Sequence, residues 1–256
     1  MLSKNKIQFL KKLQQKKYRD FEKMYFVEGI KIVNEACSNI PQQVSEVICT
    51  GSAREKLVIP EGISISETDR MTIKQISSLK TPQEAVAVIK IDDAKKNPSQ
   101  NSELILALDS ARDPGNMGTI IRLADWFGIE TILCSEDCVD CYNPKVIQAT
   151  MGAIFRVNMV YCNLKETLTK FRLSGKKIIG ASLKGENLYK SAAILKGILV
   201  MGNESTGISD EIQQIITHSI LIPNFSKKHH QSESLNVSTA TAVILGELKR
   251  RIDYSK

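Results

Sequence analysis

Short apolar runs recur along the second half of the chain, each followed by a turn of small and polar residues. Residues 104–108, 131–134, 156–160, 177–181, 198–201 and 220–222 read as strands. Strands covered on both faces lack the polar alternation of a half-exposed sheet. Helical patterns separate most of these runs, which predicts βαβ units and a parallel sheet. A last helical pattern, 237–251, closes the chain. In open α/β sheets ligands bind outside the carboxyl ends of strands. The turns at 202–207 and 223–236 stand at two such ends and are the first candidates for a site.

The first part alternates on a smaller scale. Residues 3–19 predict one basic helix with Ile7, Leu10, Leu13 and Tyr18 on its buried side. A strand and turn follow at Phe26-Val27-Glu28-Gly29, then a helix over 30–37, a strand over 44–49 and a short helix over 52–56. A strand over 63–66, a helix over 72–78 and a strand over 85–91 complete it. The polar stretch 92–103, with one proline and no period, reads as a linker. Two α/β domains are expected, at 1–98 and 103–256.

Composition adds two points. A hydrophobic content of 42% over 256 residues supports a sizeable core. Residues 1–31 hold nine Lys or Arg against three acids, a local +6 within a net charge of +7. A basic face of this kind suits a polyanion such as RNA, with Lys4, Lys11, Lys12, Lys16, Lys17 and Arg19 as contacts; a solvated helix face is the alternative. No run is long enough to span a membrane and the N-terminus lacks a signal-peptide core. A cytoplasmic protein with six reduced cysteines is expected.

Several arrangements could carry chemistry. Asp113-Pro114-Gly115-Asn116 is a turn before a helix start, with Asn116 suited to the N-cap, Gly118 allowing close approach, and Arg122 one and a half turns in. Ile120, Ile121, Ala124 and Phe127 form that helix's core face. An Arg there can clamp a phosphate or carboxylate, or make a surface salt bridge. Cys134-x₃-Cys138-x₂-Cys141 has the spacing of radical iron–sulfur enzymes. Asp140 stands where those enzymes carry an aromatic, and no barrel of eight βα units is present, so ordinary thiols are the reading. His218, His229 and His230 lack zinc spacing, and no metal is expected. The dinucleotide fingerprint GxGxxG is absent.

Three stretches then resemble, in order, the motifs of the SpoU–TrmH family, RNA 2'-O-ribose methyltransferases of the SPOUT class. They are Asn116-x-Gly118-x₃-Arg122; Gly202-Asn203-Glu204-x₂-Gly207; and Ile222-Pro223 with Ser234-Leu235-Asn236-Val237-Ser238. The first part is similar to the ribosomal-protein-like RNA-binding module that precedes this domain in many members. The resemblance implies an α/β parallel sheet with a C-terminal trefoil knot, a feature general topology rules make very rare. It implies S-adenosylmethionine held in the knot by Ala181, Gly202, Asn203, Ile222 and Leu235. A Cβ at 202 is expected to crowd the adenosine. It implies that Arg122, Asn116, Glu204, Ser234 and Asn236 gather at the target ribose of ribosomal or transfer RNA. Arg122 would either accept the 2'-hydroxyl proton with help from an RNA phosphate, or remain charged and stabilise the developing alkoxide. The family also pairs two knotted domains, and Ala240, Ala242, Ile244, Gly246 and Leu248 offer a dimer face. A non-catalytic RNA-binding protein of the same fold is the rival reading. One departure is visible: the loop 224–233 is longer than is usual in the family, and Lys227, Lys228, His229 and His230 in it either touch RNA or are solvated.

Overall fold

A computed structural model describes residues 2–92, 102–190, 196–226 and 234–254. The linker core at 93–101 and the loop residues Lys227, Lys228, His229 and His230 lie outside the described residues. The chain divides into two compact units: Met1–Lys95 with Asp140–Arg156, and Lys96–Val139 with Val157–Lys256.

The first unit opens with α1 (Lys4–Lys12) and α2 (Lys16–Glu22), continues through β1 (Met24–Glu28), α3 (Ile30–Asn39), β2 (Val44–Cys49), α4 (Gly51–Arg54), β3 (Ser64–Glu67), α5 (Arg70–Ile76) and β4 (Ala85–Lys90). Its sheet runs β1-β4-β2-β3, with β4 antiparallel to both neighbours and β2 parallel to β3. Leu10 and Leu13 pack with Phe26, Ile48, Ile73 and Val88, and Ile7 lies partly buried beside them. Glu28 is buried and accepts from the Ser78 backbone at 2.9 Å and from the Ser77 and Ser78 hydroxyls. It thereby ties β1 to the chain leaving α5.

The single helix expected over 3–19 is two helices. Arg19 explains the break. It is buried, and its Nη1 donates to the carbonyls of Leu13 (2.9 Å) and Gln14 (2.8 Å), acceptors a continuous helix would use internally. Its Nε and Nη2 reach Asp140 at 3.1 and 2.5 Å. Arg19 is therefore a structural cation, removed from the expected RNA contacts, whereas Lys4, Lys11, Lys12, Lys16 and Lys17 are all exposed. The expectation of two consecutive stretches also changes. Asp140–Arg156, including α7 (Pro144–Thr150), packs with the first unit. Gln148 donates to the Glu28 carbonyl at 3.0 Å, and Tyr142 stacks on Tyr25 with centroids 4.3 Å apart.

The second unit carries β5 (Leu104–Leu108), α6 (Pro114–Trp126), β6 (Thr131–Cys134), β7 (Asn158–Tyr161), α8 (Leu164–Leu173), β8 (Ile178–Asn187), β9 (Gly197–Met201), α9 (Asp210–Gln213), β10 (His218–Leu221) and α10 (Val237–Tyr254). All six strands are parallel, in the order β10-β8-β9-β5-β6-β7. Ile105, Ala107, Ile198 and Val200 face α8 and α9 through Leu168, Phe171 and Ile212. Alternation along β5 sends Leu104, Leu106 and Leu108, also buried, to the other face. α6 and α10 pack on each other.

β8 outruns the predicted strand. It pairs with β10 at Gly180↔Ser219 and again at Glu186↔Ile220, so β8 advances six residues while β10 advances one. Pairing with β9 stops at Gly180. Residues 181–185 thus swing out of both ladders. They return so close that a Cβ on Gly185 would lie 2.5 Å from the Ile220 carbonyl carbon, which requires glycine. Arg251, buried near the end of α10, donates to the Leu188 carbonyl and pairs with Glu247 at 2.6 Å. The closing helix is thereby locked to the returning end of β8. Ile244 and Leu248 are 1% exposed, so they belong to the protomer's own core and supply no apolar area for a dimer face. Among the described residues no helix is long and apolar enough to cross a membrane.

Candidate active site

The parallel strands bring three separated segments to their shared carboxyl edge. β5 ends at Leu108 and hands over to the turn 109–113. Asp113 is the N-cap of α6, with Pro114 at the first helical position; its Oδ1 accepts the Asn116 backbone N–H at 2.7 Å. The expectation that Asn116 is the cap is corrected by this. Asn116 stands one turn inside, and its side chain is left to act elsewhere. Its Nδ2 donates to Glu204 Oε1 at 2.7 Å, and its Oδ1 accepts from Asn236 Nδ2 at 2.9 Å. Asn236 in turn caps α10, its Oδ1 accepting from the Ser238 backbone (2.9 Å) and hydroxyl (2.6 Å). One hydrogen-bonded chain, Glu204–Asn116–Asn236, therefore joins all three segments.

Arg122 and Ser234 are not part of that chain. Arg122 lies six residues beyond Asn116 on α6, about 9 Å along the helix, and its guanidinium is exposed. Ser234 is exposed as well. An exposed Arg has donors available in a fixed fork, the geometry suited to phosphate or to an oxygen gaining charge.

The turn after β9 is built tightly. Asn203 and Gly207 exchange backbone hydrogen bonds at 2.9 Å. Asn203 Nδ2 donates to the Ser110 carbonyl at 2.8 Å, and its Oδ1 accepts from the Ser205 and Thr206 backbones. Both ends of that amide shape the turn, so Asn203 positions the segment rather than offering a side chain to a cofactor. Gly202 has a different reason from the one expected. A Cβ there would lie 2.2 Å from the Gly207 carbonyl carbon and 2.3 Å from the Ile208 nitrogen. Its own chain by itself excludes the side chain. A Gly202→Val variant with an intact fold and a filled pocket is therefore not expected.

The other cofactor candidates fit an adenosyl ligand better. Ala181 begins the excursion that leaves both ladders. Ile222 follows the last paired residue of β10, and Leu235 is 50% exposed just before α10. Unpaired backbone beside partly exposed apolar side chains suits a purine, which needs hydrogen bonds at its edge and apolar cover on its faces.

A network beneath the site was not anticipated from the sequence. Ser110 has φ +58°, the left-handed region that serine rarely adopts. Its N–H donates to Ser135 Oγ (2.8 Å) and its hydroxyl to Asp137 (2.7 Å). Asp137 also accepts from Ser135 Oγ (2.7 Å) and Arg112 Nη2 (2.8 Å). Burial pushes the Asp137 carboxyl up, but the bonds from Ser135, Arg112 and Ser110 outweigh it and hold it at about 2. The carbonyl of the same Ser110 anchors Asn203, so Asp137 supports the Glu204 turn at one remove. Buried Asp109 does similar work, accepting the Ser209 N–H at 2.7 Å. The Asp-Pro pair at 113–114 was a readable cap signal; no local pattern marks Asp137.

Cys138 sits under this network. Its Sγ accepts the Ala111 N–H at 3.3 Å, and a hydrogen bond from Cys134, aided by Ser135, lowers the thiol to about 7 against the effect of burial. Among the described residues no group of three or more His, Cys, Asp or Glu is placed to hold a metal ion.

A depressed carboxyl contributes stability above its ordinary range, near pH 4, and loses it as pH falls towards 2. Asp137→Ala should therefore melt below the parent near neutral pH, by a small margin because the network is half exposed. The gap should shrink to a small remainder by about pH 2, where the parent carboxyl is half protonated. Melting curves from pH 7 to 2 check this; a gap undiminished at pH 2 would assign Asp137 a role other than its charge.

Comparisons with known proteins agree with this geometry. Residues 103–246 match the SpoU rRNA Methylase family and residues 4–87 match the MRM3-like substrate binding domain. A 23S rRNA (guanosine-2'-O)-methyltransferase, RlmP of Bacillus subtilis, is 26% identical over 95% of this chain and 96% of its own length. A solved structure described as an RNA methyltransferase of the TrmH family, from Porphyromonas gingivalis, is 37% identical with a TM-score of 0.88. It covers 98% of this chain and 99% of its own. The AdoMet-bound rRNA methyltransferase from Sinorhizobium meliloti is 25% identical with a TM-score of 0.83, over 98% and 97% of the two chains.

Proposed function

The chain belongs to the SpoU rRNA methylase family, and from that premise we propose that it methylates a ribose 2'-oxygen of ribosomal RNA, using S-adenosylmethionine. The observation that carries the reading is the Glu204–Asn116–Asn236 chain, which unites three motif segments at one sheet edge. Bound there, the cofactor supplies an electrophilic methyl on a sulfonium. The protein's own groups must bring a ribose hydroxyl to it and manage the hydroxyl proton. Arg122 offers the fixed fork of its guanidinium to the charge that develops on the attacking oxygen. The Asn116 amide holds Glu204 and Asn236 in place, and Ser234, two residues before Asn236 in sequence, offers a hydroxyl to the ribose. Ala181, Ile222 and Leu235 hold the adenosyl group, with Gly202 and Asn203 shaping the turn that closes it in. The β8 excursion and the locking of α10 to Leu188 support a trefoil knot as the frame of this pocket. We read 1–98 as a substrate-binding domain and 103–256, apart from the Asp140–Arg156 segment that packs with the first unit, as the knotted domain, in a cytoplasmic homodimer.

The test is methyl transfer from labelled cofactor to ribosomal RNA isolated from cells lacking the protein. Transfer that saturates at one methyl per RNA supports the reading, and none overturns it.

The basic face of the first unit gives a separate expectation. Lys11, Lys12, Lys16 and Lys17 are exposed, with the ammonium groups of Lys12 and Lys17 resting on the Tyr18 ring at 5.4 and 5.8 Å. Replacing all four by Gln should weaken RNA binding and lower the slope of log affinity against log salt by about 3, since each phosphate contact contributes about 0.7–0.9. Cofactor affinity should be unchanged. Filter binding at several salt concentrations decides it; an unaltered slope means a solvated face.

A further inference from the structure

Two exposed aromatic rings stand at the carboxyl edge of the second sheet, neither given a role above. Tyr189 follows the returning end of β8 and is 49% exposed; Phe225 follows β10 and is 79% exposed. Their rings touch, with centroids 6.4 Å apart and planes tilted by 34°. The Leu188 N–H donates to the Leu221 carbonyl at 2.8 Å, which ties the chain just before Tyr189 to the end of β10, four residues before Phe225. Two neighbouring rings this open to water form a contiguous apolar surface, the kind of feature that marks interaction sites.

We propose that Tyr189 and Phe225 form a stacking platform for an unpaired base of the RNA substrate. The inference rests on the RNA-methylation reading above and adds a binding site to it. Unpaired bases are recognised by stacking on Phe and Tyr, since each base offers a π-face whatever its identity. The surroundings favour RNA over the adenine of the cofactor. Lys184 and Lys190 are exposed on either side of Tyr189 in sequence, with exposed Glu186 the acid between them. Net positive charge attracts a phosphate-bearing strand and repels a sulfonium cofactor. A 2'-hydroxyl must also be splayed from its helix to be reached, which leaves a neighbouring base in need of a partner.

The test uses a short single-stranded RNA carrying 2-aminopurine, whose fluorescence is quenched by stacking, alongside S-adenosylmethionine binding by calorimetry. The parent should quench the probe. Tyr189→Ala and Phe225→Ala should each lose about tenfold in RNA affinity, the size of one stacking contact, together with the quench. Tyr189→Phe and Phe225→Trp should restore both, which loss of folding could not. Cofactor affinity should remain at the parent value in all four. A fall in cofactor affinity with RNA affinity intact would assign the rings to adenine and overturn the proposal. Parent-like RNA binding by both alanine variants would overturn it too. In that case a parent that still methylates RNA leaves the methyltransferase reading standing, so the two failures are told apart.

Discussion

Arg122→Ala is expected to lower kcat for methyl transfer by about 10²–10³, the loss seen when one preorganised donor to a developing oxyanion is removed. The reason lies in its position. The guanidinium is exposed on α6 and outside the Glu204–Asn116–Asn236 chain, so its removal should leave that chain and the fold in place. Cofactor affinity and melting temperature should stay near the parent values. Arg122→Lys keeps a charge but loses the fork, and should recover only part of the rate. Single-turnover transfer with saturating RNA separates chemistry from binding. Parent-like single-turnover rates for Arg122→Ala would remove the residue from the mechanism.

Gly202→Ala should damage the protein more broadly. The added methyl would meet the Gly207 and Ile208 backbone at 2.2 and 2.3 Å, far inside contact distance. Backbone cannot rotate aside as a side chain can, so the 202–207 turn must open. Overpacking of this sort costs about 1–3 kcal/mol. For a chain of this size that lowers the melting temperature by roughly 2–12 °C. The same turn carries Glu204 and anchors on Ser110 through Asn203, so cofactor-induced stabilisation, which any ligand selective for the native state confers, should disappear as well. Thermal shift with and without S-adenosylmethionine reads both effects. A variant as stable as the parent and as well stabilised by the cofactor would contradict the packing account.

Much of the fold is legible along the chain because its strands are local apolar runs. β2, β5 and β6 begin and end where the runs do. The failures share a cause: a distant partner overrides a local pattern. Residues 3–19 have a continuous helical pattern, yet Arg19 takes the Leu13 and Gln14 carbonyls and ends α1. Asp140–Arg156 follows a strand of the second sheet in sequence and packs with the first unit. Residues 182–187 lie beyond the predicted strand 177–181, and only pairing of Glu186 and Asn187 with Ile220 and Leu221 makes their end a strand. The site shows the same division. Asn116, Glu204 and Asn236 were visible as motif residues and do converge. Gly202 was visible as a necessary glycine, but the neighbour that makes it necessary is its own turn. Asp137 and Ser110 were invisible, because a left-handed serine held by a carboxylate 27 residues away leaves no mark on local sequence.

The central claim is that the methyl group goes to a ribose oxygen. The direct measurement is nuclease digestion of ribosomal RNA after transfer of isotope-labelled methyl, followed by mass spectrometry of the released nucleosides. The account predicts one labelled 2'-O-methylnucleoside, its label lost with the sugar when the glycosidic bond is fragmented. Label retained on the base fragment, or no labelled nucleoside at all, would contradict it.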